Sequence, residues 1–180
     1  MNYTINQFFE KEECNSIIEY ADRVGKKFNY NPTEVWDCKR IADVDFNKLI
    51  IDRFIKNYND NKLKLWFPLG DFEVKDFNIS ITKYYENRRL DLHLDAKSQL
   101  TTVIVLNDNF FDGRFMLSET PDKINSEKHL LGMGQSITFD GSKVYHGVMP
   151  VTSGIRCALN IWMTNTNFKY IKLYDHKKLI

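Results

Sequence analysis

The residues best able to do chemistry together are two histidines, one aspartate and one arginine. His93-Leu94-Asp95 sets an imidazole and a carboxylate two residues apart; His146 follows 51 residues after Asp95, and Arg156 ten residues after His146. Alternate residues of a strand point to the same face, so His93 and Asp95 can grip one ion together. His146, arriving from a facing strand, completes a set of two imidazoles and one carboxylate. Such a set caps one face of a metal ion and leaves three positions open for a co-substrate and oxygen. Mixed N/O donors without a thiolate suit Fe(II) better than zinc. Arg156 offers a planar fork of donors that would hold a carboxylate reaching in from the metal. A buried guanidinium without an anion is costly, so an inward-facing Arg156 implies a bound acid.

The rest of the chain must supply elements rigid enough to position these groups. Tyr3 to Phe9 reads as a short strand. Lys11 to Val24 has Ile17, Ile18, Ala21 and Val24 at helical spacing, acidic residues early and Gly25 at its end. Asp45 is the expected cap of a second helix, with Leu49, Ile50, Phe54, Ile55 and Tyr58 on its apolar face and Asn59-Asp60-Asn61 as its break. Trp66 to Gly70 reads as a turn. From Phe77 the period becomes two: Phe77, Ile79 and Ile81 alternate with Asn78, Ser80 and Thr82, as in a half-buried strand. Further strands are expected at Gln99 to Asn107, Arg114 to Leu117, Ser136 to Phe139, Tyr145 to Val148 and Arg156 to Met163. Gly113, Asp140-Gly141 and Thr152-Ser153-Gly154 mark turns, and Ser118 to Leu131 a long polar loop. Asn165 to Ile180 reads as a last packing strand with a basic tail. Many short strands behind N-terminal helices predict an α+β protein with an antiparallel, barrel-like core.

Composition excludes several classes. The chain has 180 residues, 43% hydrophobic and 27% charged, as one soluble domain spanning 1-180 would have. A net charge of +1 gives no general argument for nucleic acid or an anionic membrane. The opening MNYTINQFFEKEEC lacks a basic segment followed by an apolar run, so no signal peptide is expected, and no stretch is long enough to span a bilayer. Cys14, Cys38 and Cys157 form no CxxC pair and read as buried free thiols in a reducing cytoplasm.

The order of the site residues resembles that of the Fe(II)/2-oxoglutarate dioxygenases, most closely the prolyl 4-hydroxylase-like branch. The resemblance runs through Tyr84 to Asp95 (YYENRRLDLHLD), with a tyrosine nine residues before the first histidine, and through Val105-Leu106-Asn107-Asp108. It closes with Gly134 to Met163 (GQSITFDGSKVYHGVMPVTSGIRCALNIWM), where a phenylalanine, the histidine, a proline-valine pair, glycine-x-arginine and a tryptophan all have counterparts. Phe8 to Cys14 is similar to the family's opening strand-to-helix step. The chain departs from the pattern at Asn87 and Leu90, where the family often has a glycine and an aromatic. It departs again at Asp112-Gly113, which replaces a double glycine.

The resemblance implies a double-stranded β-helix, or jelly roll, with the N-terminal helices in support. It implies Fe(II) on His93, Asp95 and His146, with the far carboxylate of 2-oxoglutarate on Arg156. Tyr84 would donate to the same co-substrate, Tyr85 being the competitor. Asn160 and Trp162 share the Arg156 face of their strand. Asn160 is then placed to contact co-substrate or a metal-bound water, and Trp162 to wall the site or pack the core. Thr101 and Leu106 would line the interior, and Cys157, on the opposite face, is assigned to packing. Residues 28–43 read either as a lid over the substrate or as a surface connection. The implied reaction is hydroxylation of an unactivated C–H bond using molecular oxygen, with a prolyl residue of a peptide or protein as substrate. A free amino acid or other small molecule is the alternative, and a non-catalytic jelly-roll binding module the non-enzyme one. Enzymes of this kind can use ascorbate as reductant. A carboxylate at Asp95 argues against a halogenase, and Trp162 stands where nucleic-acid oxygenases usually carry a second arginine.

Overall fold

In a computed structural model, residues 1–28, 36–40, 43–60, 63–67, 76–95 and 98–164 are described. The elements are β1 (Tyr3–Gln7), α1 (Lys11–Val24), β2 (Lys26–Phe28), β3 (Trp36–Arg40), α2 (Val44–Asp60), α3 (Leu63–Trp66), β4 (Asp76–Tyr84) and β5 (Leu90–His93). They continue with β6 (Ser98–Val105), β7 (Phe110–Asp112), β8 (Phe115–Ser118), β9 (Glu127–His129), β10 (Gln135–Phe139), β11 (Tyr145–Val148), β12 (Val151–Gly154) and β13 (Arg156–Thr164). A seven-stranded sheet has the order β1-β10-β6-β13-β4-β3-β2, a four-stranded sheet β5-β11-β8-β9, and β12-β7 form a ribbon. This is the expected jelly-roll core of antiparallel strands with supporting helices.

Two hydrophobic layers follow from strand alternation. Phe77, Ile79 and Ile81 of β4, Leu100 and Ile104 of β6 and Leu159, Ile161 and Met163 of β13 pack with Cys14, Ile17 and Ala21 of α1 and Ile50, Ile51 and Phe54 of α2. The opposite face of the large sheet contributes Tyr84, Val103, Val105, Ile137, Phe139 and Ala158, which pack with Phe115, Leu117 and Val148 of the small sheet. The large sheet is therefore covered on both sides. This corrects the half-buried reading of β4, whose polar Ser80 and Thr82 are as buried as their apolar neighbours. Leu106 belongs to the helix-side layer and does not line the interior, whereas Thr101 does sit on the interior face. Cys157 packs on the helix side as expected, and Cys14 and Cys157 are buried free thiols.

Helix ends show how local chemistry sets boundaries. Glu10 N–H donates to Glu13 Oε2 at 2.8 Å, one half of a capping box that opens α1. Gly25 closes α1 with φ −68°, so it is an ordinary end and not the left-handed glycine cap. Val24 (40% exposed) lies outside the buried stripe. The cap of α2 is Asp43, whose Oδ1 accepts from Phe46 N–H at 2.8 Å, two residues before the expected Asp45. In that helix Leu49 is 67% exposed while Ile51 is buried, so the apolar stripe is rotated from the one read off the sequence. Arg53 Nη2 donates to Glu13 at 3.0 Å and Nε to the Phe8 carbonyl at 3.3 Å, tying the helices to each other and to the end of β1.

Three further readings change. Thr152-Ser153-Gly154 lies in β12, because Phe110–Asp112 provides it with a ribbon partner. The polar segment 118–131 contains β9, paired to β8. Trp36–Arg40, inside the stretch read as a lid or connection, is a strand of the large sheet paired to β2 and β4. Residues 29–35 and 41–42, the turn at Pro68-Leu69-Gly70 and the terminal segment 165–180 lie outside the described residues. Among the described residues no helix is long and apolar enough to cross a membrane.

Gly134 joins these parts. It has φ +79°, its carbonyl accepts from Phe8 N–H at 2.8 Å and Phe9 N–H at 3.2 Å, and its N–H donates to the Val105 carbonyl at 2.7 Å. A Cβ there would stand 2.0 Å from the Phe9 oxygen. Left-handed strain plus this collision predicts that Gly134→Ala destabilises the protein by on the order of 2 kcal/mol or more. Urea unfolding should show the loss, with Gly132→Ala, where the nearest atom is a flexible Gln135 side-chain oxygen at 3.4 Å, close to native.

Candidate metal centre

His93 and His146 are brought together by the pairing of β5 with β11, in which the two residues are direct cross-strand partners. Their ring centroids are 4.3 Å apart. The pairing is irregular between His146 and Val148, and Gly147 lies at that point. A Cβ at Gly147 would fall 2.5 Å from the Leu90 carbonyl, so only glycine lets β5 approach this closely. His146 is buried against the rings of Phe139 (4.6 Å) and Phe115 (6.1 Å). Asp95 lies just past the end of β5, held there by its N–H donating to the Gly141 carbonyl at 2.8 Å and its carbonyl accepting from Ser98 N–H at 2.8 Å.

The three side chains converge. His146 Nε2 is 3.2 Å from Asp95 Oδ2 and His93 Nε2 is 3.6 Å from Asp95 Oδ1. One ligand atom from each lies within 4.8 Å of the others, a group able to hold a metal ion. Each imidazole is turned by its own backbone: His93 Nδ1 is 2.9 Å from the Asp91 carbonyl and His146 Nδ1 3.0 Å from the Val144 carbonyl. A carbonyl can only accept, so each Nδ1 carries the proton and each Nε2 faces the centre, the arrangement that a metal-binding histidine requires. Burial works against the charged form of Asp95, but the facing His146 and His93 outweigh it and hold the carboxyl well below its usual range. The carboxylate therefore stays negative and the cluster needs positive charge, from protons on the imidazoles or from one bound cation. The donor set and its orientation fit Fe(II).

Arg156 lies on the interior face of β13 and is 1% exposed. Its cross-strand partner is Tyr84, and the guanidinium carbon is 5.7 Å from the centre of that ring. Tyr84 is buried, whereas Tyr85 is 38% exposed, so geometry brings Tyr84 to the arginine. Arg156 Nη1 is buried with no hydrogen-bond partner, and no carboxylate among the described residues pairs with the guanidinium. Burial lowers its pKa, because the charged form lacks solvent. An orphaned buried donor on a cation fits a bound carboxylate. Gly113, at φ +65°, clears space for the side chain: a Cβ there would meet Arg156 Cδ at 3.0 Å.

The remaining sequence-expected residues lie along the same interior face. Asn160 is buried and its Nδ2 donates to Thr82 Oγ1 at 3.2 Å. Trp162 Nε1 donates to Asp95 Oδ2 at 2.7 Å, so it touches the aspartate directly and is more than core filling. Thr101, read only as an interior residue, donates to the same oxygen at 2.9 Å. Gly141 and Gly147 carry no side-chain chemistry and went unnoticed as site residues. Their signal in the sequence is adjacency: one follows Asp140 in a turn and the other follows His146.

No family model matches the sequence, and no curated protein matches it. Solved structures do match in fold. A Pseudomonas putida prolyl-4-hydroxylase aligns with a TM-score of 0.64 at 16% identity, covering 90% of this chain and 92% of its own. A Burkholderia pseudomallei oxidoreductase of the 2OG-Fe(II) oxygenase family aligns with a TM-score of 0.65 at 15% identity, covering 92% and 86%. A Trichoplax adhaerens prolyl hydroxylase, in complex with a hypoxia inducible factor oxygen degradation domain peptide fragment, aligns with a TM-score of 0.68 at 16% identity, covering 91% and 83%. The chain thus has the fold of prolyl hydroxylases and 2OG-Fe(II) oxygenases.

The buried, unpaired guanidinium leads to a stability prediction. Replacing a buried charge by an apolar side chain of similar length removes its desolvation cost, so Arg156→Met should raise stability by about 1–4 kcal/mol in the absence of small acids. Denaturant midpoints measured without added ligand provide the check; a destabilised Arg156→Met variant would show that the guanidinium is satisfied by the protein alone.

Proposed function

We propose that the chain is an Fe(II)- and 2-oxoglutarate-dependent dioxygenase that hydroxylates an unactivated C–H bond, with a prolyl residue of a peptide or protein as substrate. The observation that carries the reading is the pairing of a His-Asp-His cluster with a buried, unpaired arginine inside one sandwich. A metal alone would account for the first and leave the second unexplained. The prolyl substrate is supported by likeness in fold to solved prolyl hydroxylases, one of them holding a peptide.

In this reading His93, Asp95 and His146 hold Fe(II) and are the catalytic ligands. Arg156 holds the far carboxylate of 2-oxoglutarate by a charge-assisted pair, and Tyr84 beside it donates its hydroxyl to the same molecule. Asn160 and Trp162 complete the wall between the two ends. When bound, Fe(II) and 2-oxoglutarate supply the oxidising chemistry: 2-oxoglutarate and molecular oxygen give succinate and carbon dioxide, and the second oxygen atom enters the substrate as hydroxyl. The protein's own work is to orient these groups and to exclude water. Phe115, Phe139 and Val148 form an apolar floor around His146, and Ala158 and Val103 face them from the large sheet. Buried free thiols at Cys14 and Cys157 suit a reducing, cytoplasmic setting.

Succinate formation from 2-oxoglutarate under air with Fe(II) tests the proposal, with a proline-containing peptide and free proline as separate additions. The native protein should turn over, fastest with the peptide, while His146→Ala and Arg156→Ala should each lose at least about 100-fold in rate. Stimulation by free proline alone would replace the peptide reading with the small-molecule one. Absence of both turnover and Arg156-dependent 2-oxoglutarate binding would leave a jelly-roll binding module.

A further inference from the structure

Two neutral donors converge on one oxygen of the Asp95 carboxylate. Thr101 Oγ1 donates to Oδ2 at 2.9 Å and Trp162 Nε1 donates to the same oxygen at 2.7 Å. Both come from the large sheet, where Thr101 of β6 and Trp162 of β13 are direct cross-strand partners. His146 Nε2 stands 3.2 Å from this same oxygen, Oδ2, while the other oxygen, Oδ1, faces His93 Nε2 at 3.6 Å.

We propose that Thr101 and Trp162 are positioning residues that fix the rotation of the Asp95 carboxylate and so hold it towards His93 and His146 as a metal ligand. The inference rests on the metal-dependent reading above. A carboxylate oxygen has about two acceptor directions. With an indole N–H and a hydroxyl both on Oδ2, the carboxylate cannot turn about its Cβ–Cγ bond without losing one or both of them. The indole N–H can only donate, so it cannot reverse its role. The threonine is β-branched and stiff about χ1, and its neighbours hold it on the strand.

The surroundings protect this arrangement. Thr101 is 1% exposed, and a side chain at Gly141 would place a carbon 2.2 Å from Thr101 Oγ1 and 3.2 Å from Asp95 Cβ. The Gly141 carbonyl meanwhile holds the Asp95 backbone. Main chain and side chain of the aspartate are thus fixed by different elements, the turn after β10 for one and the β6–β13 pair for the other.

The test is Co(II) titration of the full chain without 2-oxoglutarate, read by calorimetry and by visible absorption, which responds to coordination number. Thr101→Val and Trp162→Phe should each weaken binding about tenfold, and the double variant about 100-fold. In both variants the absorption should change in intensity as the carboxylate turns and the ligand set alters, while Thr101→Ser should keep the native affinity and spectrum. A purely structural role would shift the thermal midpoint of the metal-free protein without changing the spectrum. Native affinity and spectrum in both Thr101→Val and Trp162→Phe would overturn the proposal, as would a Thr101→Ser variant as impaired as Thr101→Val. Either position decides alone if the other variant fails to fold. Binding that depends on His146 but ignores Thr101 and Trp162 sinks only the positioning claim. A folded native protein that binds no Co(II) sinks the metal reading and this one with it.

Discussion

The register of β13 between β4 and β6 is the constraint on which everything else depends. In that register Arg156, Ala158, Asn160 and Trp162 face the interior, while Cys157, Leu159, Ile161 and Met163 face the helices. A slip of one residue would exchange the two sets, sending a guanidinium into the helix-side core and four apolar groups into the site. Pairing along both edges of the strand makes such a slip expensive, since every ladder bond on two sides would have to be remade. The backbones of Arg156 and Trp162 are thus held about 20 Å apart along one strand, at roughly 3.4 Å per residue.

The helices contribute no residue to the candidate site, yet the site needs them. A sheet whose inner face carries Arg156, Asn160, Thr82, Ser80 and Thr101 gains less from burying that face than an apolar sheet would. The compensation lies on the other side, where Phe54 and Phe77 meet edge-on at 5.7 Å and Ile17, Ile50 and Ile51 fill the layer. Polar cost and apolar gain share the same strands on opposite faces. That division explains why β4 and β13 alternate so strictly between polar and apolar residues.

Most of the candidate site was legible in the sequence, because groups able to bind a metal and an anion are recognised by residue type and spacing. His93, Asp95, His146 and Arg156 needed no geometry to be singled out. Finer features depended on what surrounds a residue. Asp43 and Asp45 are equally good caps by type, and the choice between them is made where the chain enters α2 with Asp43 also accepting from Tyr20. Leu49 and Val24 fit a helical stripe by spacing, but which neighbours bury a stripe is a tertiary fact. β7 and β12 are too short to signal themselves and exist because each is the other's partner. Trp162 read as a wall because an indole is mostly apolar surface; its one N–H, aimed at Asp95, is what the fold uses.

The two imidazoles differ sharply in access: the His93 side chain is 37% exposed and that of His146 only 5%. One ligand stands at the mouth and the other at the floor, with Asp95 between them. In the proposed reading an ion entering from solvent would meet the more open His93 before His146, and a substrate seated over His93 would slow its loss as well as its entry.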